Sequence, residues 1–316
     1  MKAVKKSAVE GVTVGCTVVT SGGAFTGPSV LVSLSRKQLL GGQVKAFKGY
    51  LFNSCEGFQR ACKESRLKLN GIEQLFFTSL CSDRFLGLPG LALGLGDVGA
   101  SSLTVHGPEG TCEYVDACRP FFPKTWPKVQ TIANIPRKSE SLVLCDDEFF
   151  KIVAIPVGGI PEPPPPSLSH GASPPLRKKR RTDRSGAASA DPPLIVYICE
   201  GKGEIAGSKF AFVECCVSNE WAHRVSFWIK TFHADCQAVY HFFPPAGVPL
   251  WQIEGYKDAW RADGEVDVKH VFLQCTAPSD TTGEGDMFAS SDRFQAELHG
   301  VAPAFFPLPA AEPGRG

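Results

Sequence analysis

The chain has 316 residues and a net charge of +1 at pH 7, with 43% hydrophobic and 21% charged residues. This balance is that of a globular protein with ample core and excludes a disordered chain. No run approaches the ~18 apolar residues of a membrane span, so no membrane partner is expected. The near-neutral total leaves local basic patches open.

The opening MKAVKKSAVE has basic residues with no apolar stretch behind them, so no secretory leader is expected. Twelve Cys are present, but there is no C-x-x-C, and Cys215 and Cys216 are adjacent. That spacing suits reduced, mostly buried thiols better than a disulfide or metal framework.

Val12–Thr20 and Ser29–Leu34 are β-branched runs around the Gly-rich SGGAFTGP, which predicts a hairpin. Tyr50–Phe52 predicts a short buried strand, and Phe58–Leu67 a helix. Ile72–Phe77 is a further expected strand, followed by a polar loop, Thr78 to Arg84. Gly87, Pro89 and Gly90 predict a turn, with an apolar helix from there to about Leu95. Loops at the ends of strands are where α/β folds build their sites.

Leu103–His106 is expected as a strand, Glu109–Cys118 as a helix and Phe149–Val157 as a strand. Strands interleaved with helices of these lengths predict an α/β fold. The composition then changes. Gly158 to Pro193 is rich in Pro, Ser, Ala and Gly and is expected to be a disordered insert. It carries the basic block Arg177, Lys178, Lys179, Arg180 and Arg181, which reads as a nuclear import signal, a nucleic-acid contact or a solvated charge run.

Leu194–Cys199, Lys209–Cys215, Val225–Phe232, Gln237–Phe243 and Lys269–Cys275 are the later expected strands, with helices near Ile253–Arg261 and Ser291–His299. The domain organisation expected is therefore one domain in two parts, 1–157 and 194–308, split by the insert 158–193 and followed by a linker-like tail, 309–316.

Several stretches, in order, resemble the amino-terminal half of long-form tRNase Z, a family of metallo-β-lactamase-fold endonucleases that cut the 3′ trailer from precursor tRNA. Tyr50–Arg60 (YLFNSCEGFQR) is similar to the family's YLFNCGEGTQR, and Leu75–Leu91 resembles its strand, histidine loop and GLPGL turn. LTVHG before Pro108, then LIVYIC, FVEC, the pair Tyr256 and Trp260, and Phe306–Leu308 follow in the family's order.

The resemblance implies an αββα four-layer sandwich of two mixed sheets. It also implies that this half carries no zinc, the metal belonging to the catalytic half, present in cis or in trans. An active member reads Thr-His-x-His-x-Asp-His before GLPG. The matching positions here are Thr78, Ser79, Leu80, Cys81, Ser82, Asp83 and Arg84, so Ser79, Cys81 and Arg84 replace the three histidines. Zinc needs three or four N, S or O ligands, and Arg84 is permanently cationic. No metal site is expected; Asp83 and Arg84 are expected in an ion pair or a cap, and Cys81 as a partly buried thiol.

The family's tRNA-gripping arm would lie between LIVYIC and FVEC. Here that interval is Glu200–Ala211, whose three glycines suit a tight hairpin and not a projecting arm. Lys202 and Lys209 remain as weak candidate phosphate contacts. The expected role is a non-catalytic half in tRNA 3′-end processing, with precursor tRNA and a zinc-bearing half as partners; whether the chain is an enzyme stays open. The alternatives are an active phosphodiesterase with an atypical metal set at Cys81 and Asp83, or a nuclear interaction module with no RNA substrate. The basic block favours the nucleus, with mitochondrion or cytoplasm as alternatives.

Overall fold

A computed structural model describes residues 11–21, 27–37, 44–121, 127–135, 141–156, 194–215, 219–233, 235–243, 256, 260 and 268–273. The insert with its basic block, the tail, the helix expected at Ser291–His299 and most of that at Ile253–Arg261 lie outside them; Tyr256 and Trp260 are helical.

The first sheet contains β1 (Val12–Ser21), β2 (Pro28–Lys37), β3 (Val44–Phe52), β4 (Ile72–Phe76), β5 (Ser102–Pro108) and β6 (Lys128–Ile135), in that spatial order. β1, β2 and β3 pair antiparallel, whereas β3 to β6 run parallel. Parallel neighbours need crossovers, supplied by α1 (Phe58–Glu64), the short α2 (Ser82–Phe85) with α3 (Leu88–Asp97), and α4 (Thr111–Cys118).

The second sheet contains β7 (Leu142–Asp146), β8 (Phe150–Pro156), β9 (Ile195–Gly201), β10 (Lys209–Glu214), β11 (Ala238–Phe242) and β12 (Lys269–Leu273). It too begins antiparallel and ends parallel, with α5 (Asn219–Phe232) crossing between β10 and β11. β8 and β9 pair directly, Pro156 opposite Ile195, so the segment 157–193 joins two neighbouring strands of one sheet.

Three buried clusters define the layers. Between the sheets, Val30, Val32, Tyr50, Phe52 and Phe76 face Phe150, Ile152, Tyr197, Phe212 and Phe242. The Phe52 and Phe212 rings stack across this gap with centroids 3.6 Å apart. Outside the first sheet, Leu51, Leu75 and Val105 pack on Phe58, Cys62, Leu88, Leu91, Leu95 and Val115 of the helices. Outside the second, Val196, Val213 and Val239 pack on Val225, Ile229, Tyr256 and Trp260. Because successive strand residues point to opposite faces, each sheet feeds one central and one outer core. The result is the expected α/β four-layer sandwich.

The structure corrects the sequence reading in four places. Val225–Phe232, read as a strand from its β-branched and aromatic residues, belongs to α5. Val225 and Ile229, one turn apart, are buried while Phe227 is exposed, and the parallel β10–β11 pair demands a crossover there. GLPGL is not a turn ahead of a helix: α3 begins at Leu88 with Pro89 in its first turn, where a missing N–H costs nothing. β3 starts at Val44, earlier than expected. β6 and β7 were not anticipated; β7 is an edge strand with Leu142 and Val143 exposed, and so lacks the alternation of a half-buried strand.

Candidate functional site

The carboxyl ends of β3 and β4 in one sheet meet those of β10 and β11 in the other, and the loop Phe77–Gly87 fills the junction. Its backbone is pinned from both sheets. Phe77 N–H donates to the His106 carbonyl of β5 at 2.8 Å, the Tyr197 hydroxyl of β9 donates to the Phe77 carbonyl at 2.7 Å, and Ile195 N–H donates to the Thr78 carbonyl at 3.0 Å.

Asn53, buried just past β3, adopts a left-handed conformation with φ of 63°, which Asn tolerates better than most residues. From there its Oδ1 accepts the Thr78 N–H at 3.0 Å. Ser54 N–H donates to the Arg84 carbonyl and Gly87 N–H to the Ser54 carbonyl, each at 2.8 Å. Gly87 has φ of −76°, so it is needed for close approach and not for positive φ: a Cβ there would lie 2.0 Å from the Cys55 carbonyl oxygen.

Arg84 is the largest fully buried side chain among the described residues. Its guanidinium donates from Nη2 to Glu214 Oε1 at 2.9 Å and from Nε to Glu214 Oε2 at 3.1 Å, a fork onto the carboxylate at the end of β10. It also donates to Asp83 Oδ2 and to the carbonyl of Phe243 after β11, and it lies over the Phe242 ring, 5.8 Å from its centroid. The Thr78 hydroxyl donates to Glu214 as well. Burial pushes the Glu214 carboxyl upward, and the charge of Arg84 opposes it.

The residues singled out from sequence fall as follows. Thr78, Ser79 and Arg84 are fully buried and Asp83 is half-buried, so the expected ion pair is present and extends to Glu214. Cys81 sits just ahead of α2, half-buried; burial pushes its thiol up and the Glu214 and Asp83 charges add to that, against a Ser79 hydrogen bond and Arg84. Such a thiol is a poor nucleophile.

Lys202 pairs with Asp146 at 2.6 Å, and Lys209 with Asp235 at 2.8 Å and Glu200 at 3.0 Å. Between β9 and β10 the chain makes only a short 3-10 turn, Gly203–Ile205. Arg177 to Arg181 lie outside the described residues. Glu214 had no role assigned from sequence, since only the fold brings it to Arg84.

The zinc of the resembled family does not fit these residues. The carboxylates that would serve as oxygen ligands, Asp83 and Glu214, are held by a guanidinium that cannot lose its proton. A divalent ion about 4 Å from that charge meets a repulsion of roughly 8 kcal/mol at an effective dielectric near 20. Among the described residues no group of three or more His, Cys, Asp or Glu is disposed to hold a metal. His106 stacks on Phe76 and bonds Gln74 at 2.8 Å, and His241 links Tyr256 to His270 beyond the second sheet.

No family model matches the chain. It is 29% identical over 191 residues to the mitochondrial tRNase Z TRZ4 of Arabidopsis thaliana, and 32% identical over 171 residues to the mitochondrial tRNase Z TRZ3 of the same plant. These matches cover 55% and 52% of the chain but 17% of each relative, so the chain spans less than a fifth of their length. Among solved structures it is similar to a long-form RNase Z from yeast, with a TM-score of 0.54 and 16% identity, covering 84% of this chain and 36% of that one. Taken with the two-sheet sandwich, these likenesses show the metallo-β-lactamase fold in a chain similar in sequence to part of the tRNase Z proteins.

Proposed function

We propose that the chain acts in tRNA 3′-end processing as a non-catalytic tRNase Z-like half, working beside a zinc-bearing half in cis or in trans. The observation that supports this reading is Arg84. It occupies the position of the last metal-binding imidazole of the resembled motif, and its charge takes up both nearby carboxylates. The frame around the loop is kept while the ligand set is not, which fits a chain retained for its shape and surfaces. Precursor tRNA is then the substrate of the pair. Lys202 and Lys209 contribute to RNA contact only where phosphate displaces their present carboxylate partners. The names of the plant relatives carry the mitochondrion and the basic block supports the nucleus, and both compartments contain precursor tRNA.

The test incubates the purified chain with zinc and a precursor tRNA bearing a 3′ trailer, alone and with a zinc-bearing tRNase Z half. The expected result is no trailer release by the chain alone, together with salt-dependent RNA binding or co-purification with the zinc-bearing half. Trailer release by the chain alone, abolished by Asp83→Ala, would support an active hydrolase instead. Failure of both RNA binding and co-purification removes the processing role.

A further inference from the structure

Arg84 joins parts of the chain that lie far apart in sequence. It leaves the loop after β4 of the first sheet and reaches Glu214, 130 residues later at the end of β10, and the Phe243 carbonyl after β11. Thr78, from the same loop, reaches Glu214 too. The charge is entirely buried, and a buried ion is tolerated only when it is fully coordinated. Here coordination is supplied by two carboxylates, one carbonyl and one aromatic face. In a metallo-site a cation collects oxygen ligands from several strand ends and thereby fastens them. The same ligand types are collected here by a cation that belongs to the chain.

We infer that the Arg84 guanidinium replaces a metal ion as the cross-link between the two sheets, closing this end of the sandwich without any divalent cation and barring one from the junction. This cross-link is independent of any role in RNA processing. It explains why Thr78, Ser79 and the Arg84 charge sit buried in a loop without the imidazoles. It also explains why half-buried Asp83 and buried Glu214 can persist there, since two neighbouring carboxylates with no cation would repel each other. The guanidinium suits the task better than an ammonium because its planar fork meets Glu214 with two parallel bonds.

The test uses thermal unfolding of the full chain. The wild-type midpoint should be the same in EDTA and in added zinc; a fall on chelation, or a rise with zinc that Asp83→Asn abolishes, overturns the inference. Arg84→Ala should lower the midpoint by about 10 °C, the effect of stranding the buried Glu214 carboxylate. Methylguanidinium should recover part of that loss in Arg84→Ala and none in the wild type. If Arg84→Ala does not fold, the cycle of Arg84→Met, Glu214→Leu and the double variant decides. The double variant should melt above both single variants, because removing both charges leaves neither stranded. Strictly additive losses, or an Arg84→Met protein as stable as wild type, overturn the inference.

Discussion

The guanidinium of Arg84 forks onto the carboxylate of Glu214 at 2.9 and 3.1 Å, with both side chains buried, one from α2 after β4 of the first sheet and the other at the end of β10 in the second. Around this pair the backbone of the loop, the Asn53 side chain and the close seat of Gly87 against Cys55 fix the geometry. The expectations below follow from that arrangement and from the contacts farther out.

Gly87 and Gly90 should respond oppositely to alanine. At Gly87 a Cβ meets the backbone oxygen of Cys55 at 2.0 Å, and the backbone has no flexible group to yield. Gly87→Ala is expected to cost roughly 2–4 kcal/mol in urea unfolding, by overpacking. At Gly90, inside α3, the nearest atom is 3.5 Å away, so Gly90→Ala should stabilise by about 0.5–1 kcal/mol through helix propensity and unfolded-state entropy.

His106 gives the fold an acid-sensitive limb. Burial pushes its imidazole down to about 4 from the ordinary 6.5. The unfolded chain therefore binds the proton first, and stability is intact above pH 6.5 and is lost as pH falls from 6.5 to 4. The loss amounts to about 3 kcal/mol. His106→Gln should flatten this limb in unfolding free energies measured across that window, while retaining the partner Gln74.

Asp147 anchors the other end of the sandwich. Burial raises its pKa, but Lys48 at 2.9 Å, the Tyr50 hydroxyl at 2.6 Å and the N–H groups of Phe149 and Phe150 outweigh it and bring the carboxyl down to about 2. Its stabilisation is present above pH 3.8 and is lost as pH falls through 2. Discounted for partial exposure, Asp147→Asn should cost roughly 1–2 kcal/mol at pH 7, read by denaturant unfolding.

The basic block is tested in cells. A fluorescent fusion with Arg177, Lys178, Lys179, Arg180 and Arg181 all changed to Ala should lose nuclear accumulation if that block is an import signal. An unchanged distribution assigns the block to another task.

Local chemistry carried much of this protein. β-branched and aromatic runs specified β1, β2, β4, β5 and the strands near Ile195, Lys209 and Ala238, because alternation and branching act within a few residues. The loop's loss of imidazoles was equally plain from Ser79, Cys81 and Arg84. Other features depend on distant neighbours. Val225–Phe232 reads as a strand on its residue types and becomes a helix because β10 and β11 lie parallel. The edge strand β7 has no alternation to reveal it, since its outer side has no partner sheet.

For the site, the sequence by itself determined which ligands are missing at Thr78–Arg84. Only the tertiary structure decided what took their place. Arg84 and Glu214 are 130 residues apart, and no local pattern pairs a cation with a carboxylate over that distance. The packing of two sheets, driven by the Phe52–Phe212 and neighbouring contacts, brings the strand ends together, and the burial that follows makes the pair obligatory.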